Sequence, residues 1–149
     1  MKHVRSFEDW ERDVDEEQRA DPVWQVTAYR LAGYASELAW PDAVALDAVR
    51  ITRQIAAQLY KAVAAIGSDI AEGYSRSSGM DRVRFFEYAL GSARESAVWY
   101  RSARPVLGLQ LVANRLATLT RIRQLLLATI PHERTRKIRP RRQQREGDS

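Results

Sequence analysis

Arginine is the residue type best placed to do chemistry in this sequence, and that chemistry is electrostatic. Arg76, Arg82 and Arg84 gather where one predicted helix ends and the next begins. Arg94 and Arg101 lie along that second helix, Arg121 and Arg123 on the one after it, and Arg136, Lys137, Arg139, Arg141 and Arg142 in the C-terminal tail. Each cation that neutralises a phosphate releases counterions, so these residues are the candidate contacts to an RNA or DNA backbone, with steep salt dependence and weak sequence preference. The competing reading is that they form surface ion pairs, for example Arg84 with Glu87 or Arg94 with Glu95. Trp99 and Tyr74 could stack on bases, but aromatic packing inside a helical interface is the preferred explanation of both.

Covalent and acid–base chemistry has few candidates. The sequence has no cysteine and only two histidines, His3 and His132. Disulfides, thiolate metal sites and cysteine nucleophiles are therefore excluded. A di-iron bundle needs inward Glu-x-x-His pairs, and neither histidine has Glu three residues before it. No phosphate-binding glycine loop or nucleophile elbow is present. Asp69, Glu72 and Glu87 could approach one another, but hydrogen bonding around a helix end is their expected role. The expectation is a non-enzymatic protein without metal or cofactor.

The chain is 149 residues long with a net charge of +5, and that charge is uneven. Residues 1–21 hold four basic and eight acidic residues, whereas 131–149 hold seven basic and three acidic. A polyanion partner and simple solubility both account for that asymmetry. No apolar run reaches membrane-spanning length and no signal core follows Met1, so a soluble, cytoplasmic protein is expected, with no membrane partner.

The elements that must position these residues read as helices. An acidic arm over 1–21, with one short helical turn around Phe7 to Trp10, is expected to dock those two aromatics on the body. Asp21-Pro22 starts a helix. Trp24, Ala28, Leu31, Ala35 and Leu38 form its stripe to about Ala39, and Trp40-Pro41-Asp42 is expected to break it. A second helix from Asp42 to Glu72, about 45 Å long, carries Ala45, Val49, Thr52, Ala56, Leu59, Val63, Ile66 and Ile70 in alternating steps of four and three. Gly73 is expected to end it in the left-handed conformation, so Asp69, Glu72, Gly73 and Tyr74 are assigned to a structural turn.

Ser78 with Asp81 resembles a capping box for a helix over about Met80–Arg104. Phe86, Ala89, Leu90, Ala93, Ala97 and Tyr100 make its core face. Phe85, Tyr88, Ser92, Ser96, Trp99 and Ala103 make a second apolar face, which requires another partner. That partner is either the arm or, preferably, a second subunit, with Phe85, Tyr88 and Trp99 as oligomer-interface residues. Pro105 and Gly108 mark the next turn. Val112, Leu116, Leu119, Arg123, Leu126 and Ile130, broadened by Leu109, Ile122 and Leu125, line a fourth helix that Pro131 should end. The tail over 131–149 is expected to be disordered unless bound. The fold class is all-α, an antiparallel up-down-up-down four-helix bundle over 22–130 with a flexible N-terminal arm and a basic tail.

Three segments carry a family resemblance: Gln58-Leu59-Tyr60-Lys61-Ala62-Val63, Ile66-Gly67-Ser68-Asp69-Ile70-Ala71-Glu72-Gly73-Tyr74-Ser75-Arg76, and Phe85-Phe86-Glu87-Tyr88-Ala89-Leu90-Gly91-Ser92-Ala93-Arg94-Glu95. Together with Val23-Trp24-Gln25, they resemble the bacterial four-helix-bundle family of ribosomal RNA intervening-sequence proteins, which includes the accessory variability proteins of diversity-generating retroelements. The pattern departs at Gly67, where the family usually has Pro, and at Asp69, where it usually has Asn. The resemblance implies a homopentamer with a basic surface that binds nucleic acid without known catalysis. For the retroelement branch it also implies docking to a reverse transcriptase. A protein-interaction adaptor, using the arm and the second face of the third helix, is the alternative.

Overall fold

The computed structural model describes residues 5–135, which are all helix and connecting turns, with no strand among them. Short polar caps start the first elements. Ser6 Oγ accepts from the Asp9 N–H ahead of α1 (Phe7–Asp13), and Asp15 accepts from Gln18 N–H ahead of α2 (Glu16–Ala20). Asp21 caps a 3-10 turn, Pro22–Gln25, with Pro22 at its start where a missing N–H costs nothing. The arm is thus folded from Ser6 onward instead of being free chain. Trp10 is buried against Trp24, Tyr34 and Leu38, with Phe7 packed beside it. Gly33 makes this possible, because a Cβ there would lie 2.8 Å from Trp10 Cη2.

Four long helices follow: α3 (Thr27–Asp47), α4 (Arg53–Tyr74), α5 (Gly79–Ser102) and, after the short α6 (Arg104–Leu107), α7 (Leu109–Thr135). Helix α3 lies against α4 and α7, and α5 lies against the same two. Their shared core contains Ala32, Ala39 and Leu46 of α3, Leu59, Val63, Ile66 and Ile70 of α4, Phe86, Ala89 and Tyr100 of α5, and Val112, Ile122 and Leu126 of α7. Each fully buried large side chain contributes about 1.5–3 kcal/mol. Alanines at many of the facing positions let the backbones approach. Ser78 Oγ accepts from the Asp81 N–H, as the capping pattern requires.

Several boundaries differ from the sequence expectation, each for a tertiary reason. Pro41 does not break α3, which runs on to Asp47. Pro41 is exposed, whereas Asp42 and Leu46 beyond it are held in the interior, and those contacts outweigh the roughly 3 kcal/mol cost of an internal proline. The break falls at Ala48–Thr52, where Val49 is extended and the buried Thr52 hydroxyl donates to Leu46 O at 2.7 Å. The predicted single helix from Asp42 is therefore two pieces.

Gly73 is likewise not left-handed; α4 passes through it to Tyr74, and the one positive φ among the described residues is that of Gly108, at 86°. Gly73 is needed for space, since a Cβ there would lie 2.9 Å from Phe86 Cε1. Pro131 does not end α7, which continues to Thr135 with Ile130 and Glu133 buried on either side of it. On the inner face of α7, Ile122 is buried as expected and Arg115 is buried unexpectedly; Leu116 packs at the edge of the core, Arg123 is half-buried, and Leu109 is 74% exposed. Ser96 and Ala103, assigned to the second face of the third helix, are buried in the core.

Candidate nucleic-acid interface

The arginines divide into those bound within the fold and those left open. Arg115 belongs to the first group. Its Nε donates to Asp42 Oδ2 at 2.7 Å and its Nη2 to Asp42 Oδ1 at 3.2 Å, while the Tyr100 hydroxyl donates to Asp42 Oδ2 at 2.7 Å. Helices α3, α5 and α7 meet through this network, in which the Arg115 and Asp42 side chains are only 7% and 4% exposed. Burial works against the Arg115 charge, but the hydrogen bonds and charge of Asp42 more than offset it and raise its pKa. Burial, then the Asp42 charge, pushes the Tyr100 phenol far up, so it remains a donor. Both oxygens of Asp42 are occupied, so the network ties the three helices together.

Arg82 is also committed. Its Nε donates to Glu133 Oε2 at 2.9 Å and its Nη1 to the Tyr74 carbonyl at 2.7 Å. Its guanidinium lies over the Tyr74 ring at 5.3 Å and over Phe86 at 5.9 Å. With a side chain only 11% exposed, it fastens the end of α7 to the α4–α5 turn. Arg76 pairs with Glu72, and both Arg76 and Arg84 lie over Phe85, at 4.7 and 5.2 Å. The residues assigned to the turn lie within the last turns of α4 instead, where Glu72 holds Arg76, Tyr74 lies against Arg82 and Gly73 admits Phe86. Asp69 faces the Ser92 hydroxyl at 3.4 Å; burial raises its pKa, which that hydrogen bond partly counters.

The open group lies on α5 and α7. Arg94, Arg101 and Arg121 are exposed and Arg123 is half-buried, and none forms an ion pair within the described residues. At about 100° per residue, Arg94 and Arg101 fall within roughly 40° of Glu87 on α5, and Arg123 within roughly 20° of Arg134 on α7. Arg134 Nη2 pairs with Glu87 Oε1 at 2.7 Å, so these two flanks meet along one seam. Arg123 Nε is buried there with no hydrogen-bond partner. Arg121 lies about 200° from Arg123 and faces away from the seam.

The proposed oligomer residues occupy the other flank of α5, towards α4. Phe85 is half-buried and meets the 53% exposed Tyr88 edge-on at 5.6 Å. Trp99 lies beside Gln54, Ile55 and Gln58, and its Nε1 donates to Glu95 at 3.2 Å. Arg136, Lys137, Arg139, Arg141 and Arg142 lie outside the described residues. Sequence reading missed Asp42 as a partner and Arg115 altogether; the signal was a cation on the 112, 115, 119, 122, 126 stripe.

No helix of the described residues is long and apolar enough to cross a membrane. No group of three or more His, Asp or Glu among them is placed to hold a metal ion. Comparison with curated proteins and with solved structures gave no match. A family model described as 23S rRNA-intervening sequence protein matches residues 50–126. That stretch runs from the turn before α4 through most of α7, just over half of the chain, and includes Tyr100 and Arg115 but not Asp42. The chain therefore belongs to the 23S rRNA-intervening sequence protein family.

Proposed function

We propose that this protein is a non-enzymatic, oligomeric accessory factor that contacts the backbone of RNA or DNA through arginines. The observation that carries this reading is the lack of counter-charge on α7: from Leu109 to His132 it has three arginines and no acidic residue, and among the described residues only Arg115 of these has a carboxylate partner. Arginines held near a protein surface without carboxylates are suited to phosphate. The family's name supports a setting connected with ribosomal RNA. For the four long helices we infer an antiparallel up-down-up-down bundle, supported by the approach of Phe86 to Gly73, of Ser92 to Asp69 and of Arg82 to Glu133. Self-assembly, as a pentamer by family resemblance, would multiply the basic surface; a cytoplasmic setting and docking to a reverse transcriptase belong to the same reading.

A mobility-shift assay with structured RNA and with single-stranded DNA, at low and moderate salt, tests the proposal. Binding that weakens steeply with salt is expected, and no shift even at low salt refutes it. Truncation after Thr135 then measures the share carried by the tail. The adaptor reading is favoured by one feature, the exposed Trp40, Val44 and Ile51 near the α3–α4 corner, at 61%, 55% and 89%. It gains if nucleic acid fails to bind.

A further inference from the structure

We propose that the α5–α7 seam is a binding site for the phosphodiester backbone of a single nucleic-acid strand, held by Arg94, Arg101 and Arg123. This rests on the nucleic-acid reading above and goes further by naming the site and the form of the ligand. The Arg134–Glu87 pair brings the two flanks together, and Glu87 is the one carboxylate on this side of α5. Asp81 sits at the helix start, and Glu95 is turned to the opposite flank, where it accepts from Trp99. Among the described residues, Glu87 is already paired with Arg134 and none of the three arginines forms an ion pair.

Their placement is compact. The Arg82–Glu133 contact and the bridge of Tyr100 and Arg115 through Asp42 fix the register of the two helices. That register sets Arg123 nearly level with Arg94, and Arg101 stands about 10 Å further along α5 at 1.5 Å per residue. Three cations grouped this closely can reach neighbouring phosphates of one strand. Val98 of α5 and Leu127 of α7, 55% and 46% exposed, lie beside them. Apolar surface beside a phosphate track is useful to unpaired bases, which can lie against it, and useless to a duplex, whose bases are stacked inside.

The test is fluorescence anisotropy with the full-length protein and three labelled probes: oligo-uridine, oligo-thymidine and a blunt RNA hairpin, from about 50 to 200 mM salt. The single strands should bind more tightly than the hairpin. The variant Arg94→Ala/Arg101→Ala/Arg123→Ala should lose at least tenfold in affinity and reduce the salt slope by roughly two, about 0.7 for each of three phosphates. Arg121→Ala, which faces away from the seam, should lose less affinity than either of the seam variants. Because Arg123 is half-buried, Arg94→Ala/Arg101→Ala serves as a second variant with its fold checked by circular dichroism; it should show an intermediate loss. Wild-type binding left intact in both variants overturns the site while leaving the nucleic-acid reading standing. Tighter binding of the hairpin overturns the single-strand claim, and a wild type that binds none of the probes overturns both. Oligo-uridine and oligo-thymidine separate RNA from DNA as the source of the strand.

Discussion

Arg115 and Arg123 stand two turns apart on α7 and serve opposite purposes. Arg115 is surrounded by what a buried cation needs: a bidentate carboxylate on α3, whose own charge is further satisfied by a phenol on α5. Arg123 is half-buried in the seam with its Nε unpartnered. A fold tolerates a buried guanidinium only when the desolvation cost is offset by hydrogen bonds and an opposite charge. An arginine left short of such partners contributes little to the fold and is free to contribute to binding. The same contrast separates Asp42, which has a cation, from Asp69, which has only a serine hydroxyl.

The contrast breaks most visibly at Asp42. Asp42→Ala leaves Arg115 charged and uncompensated, an expected loss of about 3–5 kcal/mol. Thermal denaturation should show a melting temperature lower by roughly 10 °C for a chain of this size, and a change of only a degree or two would contradict the structural role. Pairing Asp42→Ala with Arg115→Met should recover part of the loss, because an apolar replacement for both partners removes the buried charge. Arg82→Ala comes next, at about 1–3 kcal/mol, since it removes a donor from the Tyr74 carbonyl and the hydrogen bonds from Arg82 to Glu133. Hydrogen exchange should localise that loosening to the last turn of α7.

Asp69 supplies a smaller, pH-dependent effect. Its pKa in the folded protein is raised above the ordinary 3.8. The folded state therefore holds its proton more tightly than the unfolded chain, and stability falls as the pH rises through that raised value. Asp69→Asn should raise the melting temperature at pH 7 and make no difference below pH 3, where the aspartate is protonated in both states. An equal gain at both pH values would mean that the effect is not electrostatic. At the bottom of the scale, Arg94→Ala/Arg101→Ala should leave the melting temperature unchanged within error while altering nucleic-acid binding. A substantial destabilisation would assign these arginines to the fold.

The helices themselves were legible in the sequence, because α4 and α5 keep their apolar periodicity nearly without fault. Their ends were less so. Proline and glycine are local signals, and at Pro41, Gly73 and Pro131 packing overrides them: Leu46 and Asp42 carry α3 past its proline, Phe86 requires the bare backbone of Gly73, and the Arg82–Glu133 tie extends α7. The buried network was hidden for a related reason. Asp42 follows a proline and resembles an N-cap, and Arg115 resembles one surface arginine among many. Only three-dimensional proximity pairs residues 73 positions apart. Among the candidate binding residues, sequence named both the committed and the open arginines. It could not sort them, because that depends on which carboxylates face them.

Gly33 has a consequence for how the molecule is divided into parts. The acidic arm rests on the body with an aromatic ring where a side chain would otherwise be, and the Tyr34 hydroxyl on Arg5 O and the Arg30–Glu11 pair hold it there as well. The arm is therefore a counterweight of negative charge seated over a bare stretch of α3. Gly33→Ala should press on the Trp10 ring and loosen that seat, shifting where the negative charge lies without altering any of the arginines.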